Sequence, residues 1–302
     1  GSSMAIREAI ALAKKVSVTD VPVLLTGETG TGKEVFAQAI HRNSERAKKS
    51  FVAVNCAAFS KELLESEMFG HKAGSFTGAL KDKKGLFEEA NHGTIFLDEI
   101  GEMAFDLQAK LLRILETGEF IKIGDTKPTK VDVRIIAATN RDLEKEIELG
   151  HFREDLFYRL SVFQIHLPAL RERVEDIPLH IKAFVSAFSS KMGKNIRTIS
   201  PEYIDALKKR AWKGNVRELR NAIERSLIIA DGDTLTLDAL PLNMQTSSAA
   251  STESYSGFDL SGVEKMHIQK VLKYTKGNKT ETSRLLGIGL TTLYRKIEEY
   301  GL

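Results

Sequence analysis

The tightest constraint on this 302-residue chain is a short run near its start, Gly27-Glu28-Thr29-Gly30-Thr31-Gly32-Lys33. It follows an aliphatic run, residues 21–25, that reads as a strand, and precedes an amphipathic stretch, residues 34–40, that reads as a helix. G-x-x-x-x-G-K between a strand and a helix is the pattern of a phosphate-binding loop. Its glycines let backbone N–H groups turn inward around phosphate oxygens, and the helix N-terminus behind them adds partial positive charge. Lys33 is then placed to reach the β- and γ-phosphates of a nucleotide. Glu34 stands where such loops generally carry the Ser or Thr that ligates magnesium, so the metal leans on phosphate oxygens, water and a second acidic group.

A phosphate loop belongs at the carboxyl end of a strand in a parallel sheet, and the first half of the chain supplies such strands. Runs 51–54, 94–97, 131–137 and 162–167 read as strands, alternating with helical patterns such as 107–115. That alternation predicts an α/β core whose parallel sheet is covered on both faces. After Pro168 the pattern is helical only, over 177–191 and 201–230, and residues 245–254 are polar, small and aperiodic. The expected divisions are a core at 1–168, a helical subdomain at 169–243, a flexible linker at 244–258 and a small all-α tail at 259–302.

The strand at 94–97 ends in Asp98-Glu99. Downstream of a phosphate loop, Asp98 is expected to hold Mg2+ through water and Glu99 to polarise the water that attacks ATP. The strand at 131–137 runs toward Asn140, a polar amide placed to sense the γ-phosphate. Arg153 and Arg159 lie six residues apart. An arginine lent to a neighbouring subunit stabilises transition-state charge and links hydrolysis to assembly. The single cysteine, Cys56, sits in an apolar run, which suits a reducing, cytoplasmic setting and a buried, inert thiol. No apolar run approaches the roughly 20 residues needed to span a bilayer, so no membrane association is expected.

The net charge of +3 is unevenly spread: residues 259–302 hold eight Lys/Arg against five Asp/Glu. A basic tail points to nucleic acid. Leu260, Val263, Ile268, Val271 and Leu272 form an apolar stripe ended by Gly277-Asn278. Residues 280–286 and 291–300 read as helices across the turn Gly287-Ile288-Gly289, a helix-turn-helix pattern. On double-stranded DNA the last helix would offer Thr291 and Thr292 to base edges, with Arg295 and Lys296 near bases or phosphate. A dimerisation hairpin with solvated charges is the competing reading.

Taken together, these motifs resemble the AAA+ domain of bacterial sigma-54-dependent activators, the NtrC-type enhancer-binding proteins, followed by a Fis-type DNA-binding domain. The residues that carry the resemblance are Gly27 through Glu34, Gly74-Ser75-Phe76-Thr77-Gly78-Ala79, Phe96-Leu97-Asp98-Glu99, Phe152-Arg153 through Arg159, and Trp212-Lys213-Gly214-Asn215-Val216-Arg217-Glu218-Leu219. In the tail they are Gly277-Asn278-Lys279-Thr280, Leu285-Leu286-Gly287-Ile288 and Thr292-Leu293-Tyr294-Arg295-Lys296. The resemblance implies that Glu34 is the family's usual residue and that Asn55 holds Glu99 in an inactive hydrogen bond. It implies that Arg153 and Arg159 act in trans, and that Arg217 touches nucleotide in its own subunit. Phe76 and Thr77 would tip a mobile loop that grips sigma-54. Three departures stand out: Ser75 for Ala, Lys213 for Pro, and Thr282-Ser283 where small alanines are usual.

The implied function is a homo-oligomer, a hexameric ring when active and dimeric through its DNA-binding domain. It would bind DNA upstream of promoters and spend ATP to remodel sigma-54 RNA polymerase holoenzyme to the open complex. A regulator of ordinary sigma-70-type polymerase is the alternative. An AAA+ unfoldase would need an aromatic pore loop and a substrate-recruiting domain, neither of which is found. A signal-receiving domain is expected to lie outside these residues.

Overall fold

The computed structural model describes residues 1–230, 232–241, 260–275 and 277–301, and it divides into two compact units, Gly1–Ser247 and Ser248–Leu302. The expected linker at 244–258 lies outside the described residues, as do the side chains of Leu260 and Val263.

Five parallel strands form the first unit's main sheet: β1 (Val23–Thr26), β2 (Phe51–Asn55), β3 (Thr94–Asp98), β4 (Arg134–Thr139) and β5 (Phe163–His166), in the order β2-β3-β4-β1-β5. Each expected strand is present, with its bounds moved by one to three residues. Side chains alternate across a strand, so adjacent residues serve opposite layers. Leu24, Ile95, Leu97 and Ala137 face a layer built around Lys61–Phe69 and Phe105–Thr117, where Phe69, Phe87 and Phe120 pack together. Val23, Leu25, Phe96 and Ile136 face α1 (Met4–Ser17) and α2 (Lys33–Arg42), through Ile6, Ala9, Val16, Ala37 and Ile40.

The expectation of a continuous helical stretch over 201–230 needs correcting. Pro201–Lys208 and α3 (Asn215–Ile229) are separated by a break at Trp212, whose φ is +48°, and Asn215, whose φ is +52°. Burial drives the strain, because Trp212 is 2% exposed and donates its indole N–H to the Leu207 carbonyl at 2.8 Å. Nor is this subdomain purely helical: Thr198–Ile199 pairs with Thr234–Leu235 in a short parallel ladder. Its core gathers Ile177, Ile181, Phe188, Tyr203, Leu219, Ile223 and Leu227. Asp176, just before the long helix Ile177–Met192, accepts from Ser3 N at 3.0 Å and Ser3 Oγ at 2.9 Å, fixing the start of α1.

Among the described residues the second unit has three helices, Leu260–Tyr274, Lys279–Leu286 and α4 (Leu290–Tyr300). Asn278 caps the middle one by accepting from Glu281 N at 3.2 Å, and Gly287 ends it in the left-handed region at φ +66°. Leu293 and Ile268 are its buried apolar anchors among the described side chains.

Candidate functional site: a phosphate loop under a helical lid

β1 ends beside β4 and β5, where the strand order reverses, and the loop 27–33 leaves from that point. Ligands of open parallel sheets bind there, beyond the carboxyl ends of the strands. Gly27 has φ +143°, and a Cβ would lie 2.6 Å from the Leu167 carbonyl oxygen. Gly30 has φ +80°, and a Cβ would lie 2.3 Å from the carbonyl oxygen of Gly214 in the lid. Only glycine meets both demands. The lid is sewn to the loop at this point. Val216 N donates to Gly30 O at 3.0 Å, and Asn215 Nδ2 donates to Thr29 O at 3.0 Å and to Glu28 Oε2 at 3.1 Å. Arg171 grips Glu28 with both guanidinium arms, at 2.8 and 2.5 Å. Those Arg171 bonds, then the Asn215 bond, hold the Glu28 carboxyl well below its ordinary value, at about 2.

Lys33 opens α2 and is buried, with Nζ donating to Gly27 O at 2.8 Å and Glu28 O at 3.3 Å. Burial lowers its pKa, while Glu99 and Asp98 nearby oppose that shift. Thr31 Oγ1 donates to Glu28 O at 2.8 Å, which tightens the loop. A cavity of about 330 Å³ opens beside it, lined by Thr29, Gly30, Gly32, Lys33, Glu34, Asp98, Glu99, Phe184, Arg217 and Arg220 among others. Of the expected residues, Thr29, Gly30, Gly32, Lys33, Glu34, Asp98, Glu99 and Arg217 line it, whereas Gly27, Glu28 and Asn140 line a different cavity and Thr31 and Asn55 line neither. Phe184 and Arg220 were not foreseen; Arg220 sits three residues beyond Arg217 on the same helix, the one sequence signal that could have found it.

Asp98 Oδ1 accepts from Glu99 N at 3.1 Å. Glu99 has φ +52°, and its Oε2 is buried with no hydrogen-bond partner. A buried acceptor left unpaired costs free energy, so the fold holds Glu99 in this arrangement at a cost. The inactive Asn55–Glu99 bond is not formed: Asn55 Oδ1 accepts instead from Ala57 N at 2.8 Å, in a turn closed at the end of β2. Glu34 is exposed at the cavity wall, and its Oε1 accepts from Gln38 Nε2 at 3.2 Å. Asn140 Nδ2 donates to Thr29 Oγ1 at 3.0 Å, tying the end of β4 to the loop. Among the described residues no three His, Cys, Asp or Glu side chains converge as a metal site. A divalent ion would therefore rest on Asp98, phosphate oxygens and water.

Arg153 and Arg159 line no part of this cavity. Arg153 pairs with Asp155 at 2.7 Å and lies over the Phe105 ring at 5.4 Å, while Arg159 is exposed and 3.7 Å from Glu116. Cys56 is buried, and burial first, then Asp98 and Glu99, pushes its thiol up to about 12.

The loop 74–79 is hinged by Gly74 at φ +80° and Gly78 at φ +104°, and closed by Gly74 N donating to Ala79 O at 2.7 Å. Phe76 is 45% exposed with one edge against the His71 ring, centroids 4.9 Å apart, and Thr77 is exposed. In the second unit, Thr291 and Arg295 are exposed at the start and middle of α4, and Thr292 is half-buried. Lys296 corrects the expectation: its Nζ bonds Glu264 Oε2 at 2.5 Å, and Tyr300 OH donates to the same oxygen at 2.7 Å. This pair ties Lys296 to the unit's first helix. Lys279, 4.7 Å over the Tyr294 ring, is the cation that sequence reasoning passed over.

Residues 1–166 match the family described as the sigma-54 interaction domain, residues 171–256 the AAA+ ATPase lid domain, and residues 260–300 the Fis family of bacterial regulatory proteins. The chain belongs to the sigma-54 interaction domain family. Among its relatives, regulatory protein AtoC of Escherichia coli strain K12 is 47% identical over 296 residues, covering 95% of this chain and 64% of AtoC. Nitrogen fixation protein AnfA of Azotobacter vinelandii is 46% identical, covering 100% of this chain and 57% of AnfA. The DNA-binding transcriptional regulator NtrC of Escherichia coli strain K12 is 41% identical, covering 100% of this chain and 70% of NtrC. The chain thus spans less than two thirds of the first two relatives. The crystal structure of NtrX from Brucella abortus in complex with ADP superposes with a TM-score of 0.77 at 35% identity, over 100% of this chain and 69% of that one. The NtrX complex with ATP gives a TM-score of 0.76 at 36% identity, also covering 100% of this chain and 69% of that one.

The three departures from the pattern of this sigma-54 interaction domain protein have local accounts. Ser75 lies against Gly124, where a Cβ would come within 2.5 Å of the serine Cβ, and its Oγ is buried without a partner. Lys213 is exposed in a turn held by Trp212 and Asn215, with Asn215 N donating to Trp212 O at 2.8 Å. Thr282 is fully buried, but its hydroxyl meets Thr275 Oγ1 at 2.6 Å and Asn278 O at 2.8 Å, so the added oxygen is satisfied. Among the described residues no helix is long and apolar enough to cross a membrane.

Proposed function

We propose that this chain hydrolyses ATP and couples hydrolysis to the remodelling of sigma-54 RNA polymerase, while its terminal unit holds DNA upstream of the promoter. The observation that carries the reading is Glu99, whose Oε2 is buried and unpartnered, on the wall of a cavity that Lys33, Asp98 and Arg217 also line. That is the arrangement of a base awaiting a water beside a phosphate cradle. The NtrX complexes with ADP and ATP, which share the fold, support nucleotide as the occupant.

In this reading Lys33 exchanges its two loop carbonyls for phosphate oxygens. Glu99 orients and polarises the attacking water, Asn140 reports on the γ-phosphate, and Arg217 touches the nucleotide from the lid. Mg2+, when bound, would neutralise phosphate charge, with Asp98 holding it through water. Arg153 and Arg159, absent from their own chain's cavity, would exchange Asp155 and Glu116 for a neighbour's nucleotide in a ring, which makes hydrolysis depend on assembly. Phe76 and Thr77, hinged on two glycines, would carry nucleotide-driven motion to sigma-54. Thr291, Thr292 and Arg295, with Lys279 in addition, would meet DNA as a dimer on a two-fold site. The test is ATP turnover: Glu99→Gln should retain nucleotide binding yet slow turnover by about 100-fold or more. Unchanged turnover would remove Glu99 from the reaction.

A further inference from the structure

We propose that Arg141 is a positioning residue that ties the turn carrying Glu99 to the arginine segment at 151–153; the proposal rests on the ATPase-ring reading above. Arg141 follows Asn140 at the end of β4. Its stem lies over Gly101, where a Cβ would sit 3.1 Å from Arg141 Cδ, so a larger residue in this turn would displace it. Its guanidinium then takes Glu102 in a two-pronged grip, Nε to Oε1 at 2.7 Å and Nη2 to Oε2 at 2.6 Å. Glu102 closes the short turn Ile100–Glu102 that begins immediately after Glu99.

The remaining arm, Nη1, reaches Glu146 Oε2 at 3.1 Å. Glu146 in turn sets the next segment. The same Oε2 meets His151 Nδ1 at 3.1 Å, and the Glu146 carbonyl accepts from His151 N at 2.8 Å and Phe152 N at 3.1 Å. A second thread runs in parallel through Gln108, which is fully buried. Its Nε2 donates to Met103 O at 2.8 Å and His151 O at 2.9 Å, and its Oε1 accepts from Arg153 N at 2.8 Å. The backbone that presents Arg153 therefore hangs from two polar threads, one starting at Glu102 in the turn after Glu99 and one at Met103, which follows that turn.

A guanidinium fork fixes angle as well as distance, so a shift of that turn is passed on as a rotation of Glu146 and of residues 151–153. Coupling of this kind is reciprocal: occupancy of one chain's site biases the arginine it offers, and engagement of that arginine biases its own site.

Mixed rings test this. Glu99→Gln subunits keep their arginines but cannot hydrolyse, so they rescue a partner whose defect lies in arginine presentation and fail to rescue one whose own site is damaged. Arg141→Gln alone should slow ATP turnover at least about tenfold, as misplacement of a catalytic group does. Mixing it with Glu99→Gln should restore turnover, as should the control mixture of Arg153→Ala with Glu99→Gln. Arg141→Lys, which keeps the charge and loses the fork, should stay impaired. Glu146→Gln, on the arginine side of the thread, should also be rescued, and it serves as the test if Arg141→Gln loses its circular-dichroism melting transition. Full activity of Arg141→Gln, or a working control with no rescue of Arg141→Gln, overturns the proposal. No rescue in the Arg153→Ala control would instead overturn the ring reading on which it stands.

Discussion

Glu28 and Cys56 show how single side chains in this fold are set by their neighbours. Glu28 is drawn down to about 2 by the Arg171 bonds and then by Asn215, so it stays charged in the folded protein after the unfolded chain has taken up a proton. A depressed carboxyl stabilises the fold above its unfolded value near 4.5 and loses that contribution as pH falls toward 2. Both partners are nearly half exposed, which keeps the effect on the order of 1 kcal/mol or less. Urea denaturation of the wild type and Glu28→Gln should therefore show a gap at pH 7 that closes between pH 4.5 and about 2; a gap that widens in acid would contradict this. Cys56, pushed up to about 12 by burial, should resist a thiol reagent at neutral pH until denaturant is added. Rapid labelling of the native protein would show that the apolar pocket opens.

At the scale of elements, the junction of loop and lid is the most demanding contact. Gly30→Ala places a methyl against the Gly214 carbonyl at a positive φ, so the lid must move off the loop. Nucleotide affinity should fall at least about tenfold, with a loss of about 1–3 kcal/mol in stability, read by titration and by urea denaturation. In the second unit, Leu293→Ala removes its fully buried anchor and should cost about 2–5 kcal/mol, read as early melting of the isolated Fis-type transition by calorimetry. Glycine spacing and apolar alternation are local, which is why the loop 27–33, the five strands and the helix-turn-helix could be read directly. What escaped reading depends on partners far along the chain. The break at Trp212 answers to a core built from Ile177–Met192, and the ladder of Thr198–Ile199 with Thr234–Leu235 joins runs too short to alternate. The bond of Lys296 to Glu264, 32 residues earlier, likewise has no local signal. α1 is a different case, since Ile6, Ala9, Ala13 and Val16 have helical spacing and that signal was there to be used.

As a whole molecule, one chain of the sigma-54 interaction domain family carries a phosphate-loop site, a glycine-hinged loop tipped by Phe76 and a helix-turn-helix unit. Arg295→Ala should weaken DNA binding by about tenfold in a salt titration without touching ATP turnover, because Arg295 lies in a different compact unit from the phosphate loop. The central claim is that turnover is passed through the loop at 74–79 to sigma-54. The most direct measurement scores open complexes formed by sigma-54 holoenzyme on a promoter bearing this protein's binding site, with ATP, with a non-hydrolysable analogue and with Phe76→Ala. The account predicts open complexes with ATP alone, and none with the analogue or with Phe76→Ala, although that variant still hydrolyses ATP. Open complexes that persist with the analogue, or that form equally well with Phe76→Ala, would contradict it.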